Sequence, residues 1–270
     1  VVRDEGVALE TIDEAFLGDA PLTVDVAYSD MNYKDGLAVT GKPGVARAHP
    51  LVAGIDVVGR VRESADERWK PGDWLVLNGA GLSETKHGGF ATTARVDGDL
   101  AVALPDELTP ERAGALGTAG YTAALSVLRL VMEGATPDQG PVLVTGATGG
   151  VGSVATMLLD AAGFEITALT GRPDELGDYL RGLGADTIVA RAELEGSGRP
   201  LQKATYAGVV DTVGGEILAN AIARTMPGGF VTACGLAGSH DLPTTVMPFI
   251  LRGVTLAGID SVWASHEHRV

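Results

Sequence analysis

The stretch 144-VTGATGGVGS-153 carries two overlapping glycine patterns. Thr145, Gly146, Gly150 and Gly152 satisfy T-G-x-x-x-G-x-G, whereas Ala147, Gly149 and Gly152 satisfy A-x-G-x-x-G, a variant of the general dinucleotide fingerprint. A pyrophosphate needs backbone N–H groups at a helix N-terminus with no side chain in the way, so glycine belongs where backbone and phosphate meet. The flanks agree with that mechanism. PVLVTG (141–146) reads as a buried strand. Residues 151–162 read as a helix with Val151, Val154, Ala155, Leu158, Leu159 and Ala162 on one face, and Gly163 stops it. The plain alternative is a tight turn between strand and helix with no ligand.

The first pattern belongs to short-chain dehydrogenases, which open with the loop and carry a Y-x-x-x-K pair downstream to polarise a carbonyl. Here the loop starts at residue 144, and the downstream tyrosines Tyr179 and Tyr206 have Leu183 and Val210 at the fourth following position. That match is an accident of a glycine-rich sequence.

Outward from the loop the chain alternates. Strands are expected at 165–170, 186–190, 207–213, 229–235 and 253–260, and helices near 174–183 and 215–225. Such alternation implies right-handed crossovers and a parallel sheet. Upstream, 22-LTVDVAYS-29, 51-LVAGIDVVGRV-61, 74-WLVLN-78, 90-FATTARV-96 and 100-LAVALP-105 are short β-like runs broken by Gly, Pro, Asp and Asn. Between the halves, 109–134 reads as helix, with Thr109 as N-cap, Pro110 at the first position and Gly134 at the end, split at Gly117 and Gly120. The expected class is α/β: a β domain over 1–110, then a Rossmann doubly wound parallel sheet over 111–270.

Composition narrows the function. Thirty-five acids against 20 bases give a formal charge of −15, which repels a phosphate backbone and argues against nucleic-acid binding. One cysteine, Cys234, excludes an internal disulfide and disfavours a thiolate zinc site. None of the five histidines forms an H-E-x-x-H pair, and His266-x-His268 reads as a solvated tail; no metal is expected. No apolar run approaches the roughly 18 residues needed to span a bilayer. A soluble, cytoplasmic protein with no membrane partner is expected.

NAD-selective domains place an acid about 20 residues after the loop, where it binds the ribose 2′-OH. This chain has 170-TGR-172 there. A hydroxyl and a guanidinium suit a 2′-phosphate, so NADPH is expected. The alternative for Arg172 is a solvated loop residue.

The whole pattern resembles the medium-chain dehydrogenase/reductase superfamily, in which a GroES-like β domain precedes a Rossmann domain. Zinc-dependent members carry Gly-His-Glu in the first domain. The matching stretch here is Gly54-Ile55-Asp56, and isoleucine cannot ligate zinc. Within the zinc-free branches, 31-MNYKDGLAVTGK-42, 54-GIDVVGRV-61, 117-GTAGYTA-123, 145-TGATGGVGS-153, 211-DTVGG-215, 233-ACGLAG-238 and 243-PTTVMPFILRGVTLAGIDSV-262 are similar to the acrylyl-CoA reductase family of the acrylate-utilisation type.

That resemblance implies NADPH-dependent reduction of the C=C bond of a short 2-enoyl-CoA, acryloyl-CoA to propanoyl-CoA, without metal. It implies cofactor contacts from Tyr33, Thr148, Gly149, Gly150, Val151, Thr170, Gly171, Arg172, Arg191, Leu236, Ile250 and Ser261. Core packing is the plainer role for Leu236 and Ile250. Tyr33 is the leading catalytic candidate, near the nicotinamide, followed by Lys34 and Asp35. Competing readings are a quinone or enone oxidoreductase and a non-catalytic NADPH-binding protein. Family members continue past the point where this chain stops, with a segment that returns to the β domain, so that domain is expected to lack its closing elements. The 253–260 strand is expected at the sheet edge, where it would pair two subunits into a homodimer.

Overall fold

The computed structural model describes residues 1–270, which divide into two compact units, Val1–Tyr121 with Ser261–Val270 and Thr122–Asp260. In the first, β1 (Val2–Arg3) and β2 (Gly6–Val7) form a small ribbon. The main sheet comprises β3 (Leu22–Tyr28), β4 (Asp56–Ser64), β5 (Trp74–Asn78), β6 (Thr93–Val96) and β7 (Val102–Ala103). It is antiparallel, in the order β6-β3-β4-β5-β7. Leu22, Val24, Val57, Val61, Leu75 and Leu77 alternate inward from three of its strands and fill the core, as a half-buried sheet requires.

Strand β4 starts later than the expected run at residue 51. Gly54 has φ 100°, and a Cβ there would lie 2.6 Å from the Phe90 backbone nitrogen, so the chain before Asp56 turns instead of extending. A seven-residue helix, α1 (Tyr33–Val39), was not foreseen.

Helix α2 (Pro110–Met132) runs from one unit into the other and breaks at Gly117, which has φ 49° and ψ −158°. Gly120 stays helical, so one glycine makes the split, not two. Contrary to the expected absence of a membrane-length apolar run, α2 is long and apolar enough by composition to pass for a span. The break shortens it, and Ala123, Val127 and Leu130 are buried in a protein core.

The second unit holds a six-stranded sheet, parallel throughout, built from β8 (Val142–Val144), β9 (Ile166–Thr170), β10 (Thr187–Ala190), β11 (Tyr206–Asp211), β12 (Thr225–Ala233) and β13 (Thr255–Gly258). The order β10-β9-β8-β11-β12-β13 reverses direction between β8 and β11, the switch point at which doubly wound sheets take their ligands. The intervening helices are α3 (Gly150–Ala161), α4 (Pro173–Gly182), α5 (Gly215–Ala223) and α6 (Met247–Arg252). Two clusters line the sheet. Ala155 and Leu159 of α3 pack with Val142, Val144 and Ile166 in one, and Ile217, Leu218, Ala221 and Ile222 of α5 pack with Leu143, Val209 and Val231 in the other. Burying one such leucine side chain contributes about 1.5–3 kcal/mol. Strand β13 pairs only with β12 and is the edge that its position in the sequence implied.

The compact units differ from the expected boundary at 110/111 in two places, and residues 111–121 fall in the β unit. Residues 261–270, assigned to the nucleotide domain, also belong with the β unit. Arg269 anchors them: its guanidinium donates to the carbonyls of Asn78 at 2.8 Å and Val262 at 2.9 Å and lies over the Tyr121 ring. Ala80 N–H also donates to the Val262 carbonyl at 3.0 Å. A return to the β unit is thus present within the chain.

Candidate active site

In the second unit, the glycine loop is set by the close approach of backbone to backbone. Gly146 has φ 59°, and a Cβ there would stand 2.2 Å from Thr212 Oγ1; one on Gly152 would stand 2.3 Å from the Gly146 carbonyl oxygen. Gly149 is the N-cap of α3 and is exposed together with Gly150. The first-turn amides of a helix lack intrahelical partners. Gly149 N–H donates to the Gly146 carbonyl at 2.9 Å, so it is the Gly150 and Val151 amides that are presented with the positive end of the helix dipole, with no side chain between them and solvent at Gly149 and Gly150.

A buried hydrogen-bond set that sequence reasoning passed over holds this loop to the neighbouring strand. Thr145 Oγ1 donates to Asp211 Oδ1 at 2.6 Å and accepts from Thr212 N at 3.0 Å, while Thr212 Oγ1 donates to the Thr145 carbonyl at 2.9 Å. Gly214 N–H donates to Asp211 Oδ2 at 2.8 Å. Burial pushes the Asp211 pKa up against the lowering effect of these donors. The nearby Cys234 thiol is pushed up to about 11 by burial, which disfavours the thiolate. The signal was available: Thr145 and Asp211 both stand in quoted motifs, but a motif letter does not reveal which two loops it ties.

Thr170 ends β9 and Ala190 ends β10, and the two are register partners. Thr170 is buried, and its Oγ1 accepts the Arg172 N–H at 3.1 Å. Arg172 and Arg191 follow those strand ends, and the Arg191 guanidinium carbon would lie 3.8 Å from a Cβ on Gly171. Both side chains are more than half exposed and pair with Glu175 at 3.3 Å and Glu195 at 2.8 Å. Exposed pairs of this kind contribute only about 0–1 kcal/mol, so either guanidinium is available to a stronger anion. Leu236, 60% exposed, and Ile250, 71% exposed, are not core residues. Leu236 lies with Gly235 and Ile259 in an open depression at the carboxyl ends of β12 and β13.

In the first unit, the three catalytic candidates separate. Tyr33 is 66% exposed at the first position of α1. Lys34 pairs with Glu84, which also takes Arg47 at 2.7 Å. Asp35 is buried: it accepts from Asn32 N–H at 2.9 Å and Ile55 N–H at 3.0 Å, and burial raises its pKa. Lys34 and Asp35 are thus committed to partners within the unit, whereas the Tyr33 side chain is presented outward. Ser261 is nearly buried in the returning segment, where its carbonyl accepts from Arg269 at 3.3 Å.

A zinc centre does not fit these residues. Ile55, at the position of the zinc-ligating histidine, is apolar and buried, and no group of three or more His, Cys, Asp or Glu side chains is placed to hold a metal ion. A dinucleotide fits: an exposed helix N-terminus lies at the switch point, with guanidiniums after the ends of β9 and β10.

Residues 18–106 match the alcohol dehydrogenase GroES-like domain, and residues 150–267 match the zinc-binding dehydrogenase family. The chain is 49% identical to acrylyl-CoA reductase AcuI of Ruegeria pomeroyi, over 99% of this chain and 82% of that one.

The chain is an oxidoreductase of the medium-chain dehydrogenase/reductase superfamily.

Among solved structures of the superfamily, the yhdH oxidoreductase of Salmonella enterica in complex with NADP is 46% identical and superposes with a TM-score of 0.95, covering 97% of this chain and 80% of its own. A putative quinone oxidoreductase of Bacillus subtilis, YhfP, is 43% identical over 98% of this chain and 81% of its own. Its structure, with NAD bound, gives a TM-score of 0.93.

Proposed function

We propose that this protein reduces the C=C bond of a short 2-enoyl-CoA with NADPH, converting acryloyl-CoA to propanoyl-CoA. The observation that carries the substrate is the 49% identity to an acrylyl-CoA reductase across nearly the whole chain. The guanidiniums of Arg172 and Arg191, after β9 and β10, favour NADPH, because a 2′-phosphate offers them a dianion where Glu175 and Glu195 offer exposed carboxylates.

Bound NADPH supplies the hydride. Thr148, Gly149, Gly150 and Val151 would hold its pyrophosphate, with the Gly150 and Val151 amides as donors, and Thr170, Gly171, Arg172 and Arg191 would hold the 2′-phosphate. Leu236, Ile250 and Ser261 are assigned to the remainder of the cofactor. With the hydride on the β carbon, negative charge collects on the thioester oxygen, where hydrogen-bond donors lower the barrier most. The Tyr33 hydroxyl is our assignment for a donor at the nicotinamide end, and water supplies the α-carbon proton. The thioester already polarises the alkene, so the step needs no Lewis acid.

The identity to the Bacillus relative supports a second reading, quinone reduction. Rates of NADPH and NADH oxidation with acryloyl-CoA, crotonyl-CoA and a simple quinone separate the two. Preference for acryloyl-CoA with NADPH is expected, and preference for the quinone would overturn the reading. A cytoplasmic address suits a CoA substrate and a lone free cysteine. The open edge of β13 supports a homodimer, which a monomeric mass by light scattering would contradict.

A further inference from the structure

The first unit contains a buried polar cluster that none of the preceding roles uses. Asp56, fully buried at the start of β4, accepts from Asn32 Nδ2 at 2.6 Å, Asn78 Nδ2 at 2.7 Å, Thr118 Oγ1 at 2.6 Å and Thr118 N–H at 3.2 Å. The same Asn32 amide also reaches Asp35 Oδ2 at 3.3 Å. One carboxylate therefore joins the loop before α1, the end of β5 and the first turn of α2 after its break. Every donor to this pair of carboxylates is neutral.

Burying two carboxylates without a cation is expensive, and apolar side chains of similar size would hold these elements together at lower cost. What a fully satisfied polar network adds is a single geometry, because each donor and acceptor has a direction. The residue whose geometry depends on it most is Tyr33. It follows Asn32 directly, begins α1, and has a largely exposed ring. Its placement is therefore inherited from the backbone at Asn32, which Asp35 holds through the N–H and Asp56 holds through the amide. Gly117 completes the cluster, since a Cβ there would lie 2.8 Å from Asp30 Cβ and 3.0 Å from Asp56 Oδ2.

We propose that Asn32, clamped by the buried carboxylates of Asp35 and Asp56, is a positioning residue that acts on the reaction through Tyr33. This rests on the assignment of Tyr33 to the nicotinamide end. Asn32→Ser tests it, because serine keeps an N-cap for α1 but cannot bridge to Asp56. With acryloyl-CoA, a drop in kcat of about 10–100-fold is expected, the scale of a misplacement near 1 Å, with NADPH affinity unchanged by fluorescence titration. In a Tyr33→Phe background the same substitution should have little further effect on kcat, because the group it positions is already gone. Asp56→Asn provides a second route to the same loss if Asn32→Ser does not fold.

Multiplicative losses in the double variant would overturn the proposal, as would a normal kcat in a folded Asn32→Ser enzyme while Tyr33→Phe is slow. A normal kcat in Tyr33→Phe would instead remove the assignment of Tyr33, and the route through it.

Discussion

Two sets of charged side chains, one in each unit, are handled in opposite ways. In the second unit, Arg172 and Arg191 stand in solvent beside Gly171, paired only with exposed glutamates. In the first, Asp35 and Asp56 are sealed away with neutral donors alone, and burial raises both pKa values. Groups proposed to recognise a ligand are left easy to recruit, while groups that hold a scaffold are committed. Perturbed ionisation is often taken as a mark of an active site. Here it marks the scaffold.

The comparison breaks most visibly at Asp56. Asp56→Ala strands the Asn32, Asn78 and Thr118 donors. At about 1–3 kcal/mol for each buried donor left unmade, offset by relief of the buried charge, a net loss of about 3 kcal/mol is expected in denaturant melts. NADPH affinity of the folded fraction should be unaltered. If stability were unchanged and NADPH affinity fell, the roles of the two regions would be exchanged.

Next in size is the arginine pair. Arg172→Ala with Arg191→Ala should weaken NADPH by about 100-fold, or about 2.7 kcal/mol, and leave NADH binding and melting temperature unaltered in parallel titrations. Equal losses for both cofactors would mean that the guanidiniums do not read the 2′-phosphate.

Gly152→Ala places a Cβ 2.3 Å from the Gly146 carbonyl oxygen and 2.7 Å from Ala147 Cα, both backbone atoms that cannot swing aside. A loss of about 1–3 kcal/mol is expected from such overpacking, with weaker binding of NADPH and NADH alike. Gly149→Ala meets the same carbonyl at 3.2 Å and should be milder.

The smallest effect is the pH response. Asp35, Asp56 and Asp211 have raised pKa values in the folded state, chiefly through burial. The native state thus binds their protons more tightly than the unfolded chain, so their contribution is fully present below the ordinary carboxylate range and is lost as pH rises through the raised values. Glu10 and Asp66 act in the opposite sense, held low by hydrogen bonds from Arg3 and Arg68, and their contribution is lost as pH falls. Melting temperature should therefore rise as pH falls from 8 toward the upper edge of the carboxylate range and decline below it. Asp211→Asn should flatten the rise. A melting temperature that only falls on acidification would place these carboxylates outside the balance.

Much of the second unit was legible because its rules are local. A glycine loop between an apolar run and an amphipathic run announces strand, turn and helix, and the absence of an acid at 170–172 points to the cofactor within one window of sequence. The first unit depends on contacts between distant residues. Nothing near Asn32 in the chain reveals that its amide meets Asp56, or that Asp56 meets Thr118, 62 positions further on. For the same reason α1 went unread, since its capping residues are ordinary and its support comes from β4 and α2. Lys34 and Asp35 looked like catalytic candidates because polar letters beside a tyrosine carry no information about burial. Leu236 and Ile250 show the converse: their apolar letters suggested core, and the fold exposes them.

The most direct test follows the hydride. Incubation with acryloyl-CoA and NADPH bearing deuterium at the transferable nicotinamide position should yield propanoyl-CoA with one deuterium on the β carbon by mass spectrometry. Propanoyl-CoA without the label, or NADPH oxidation that occurs with a quinone and not with acryloyl-CoA, would contradict the account.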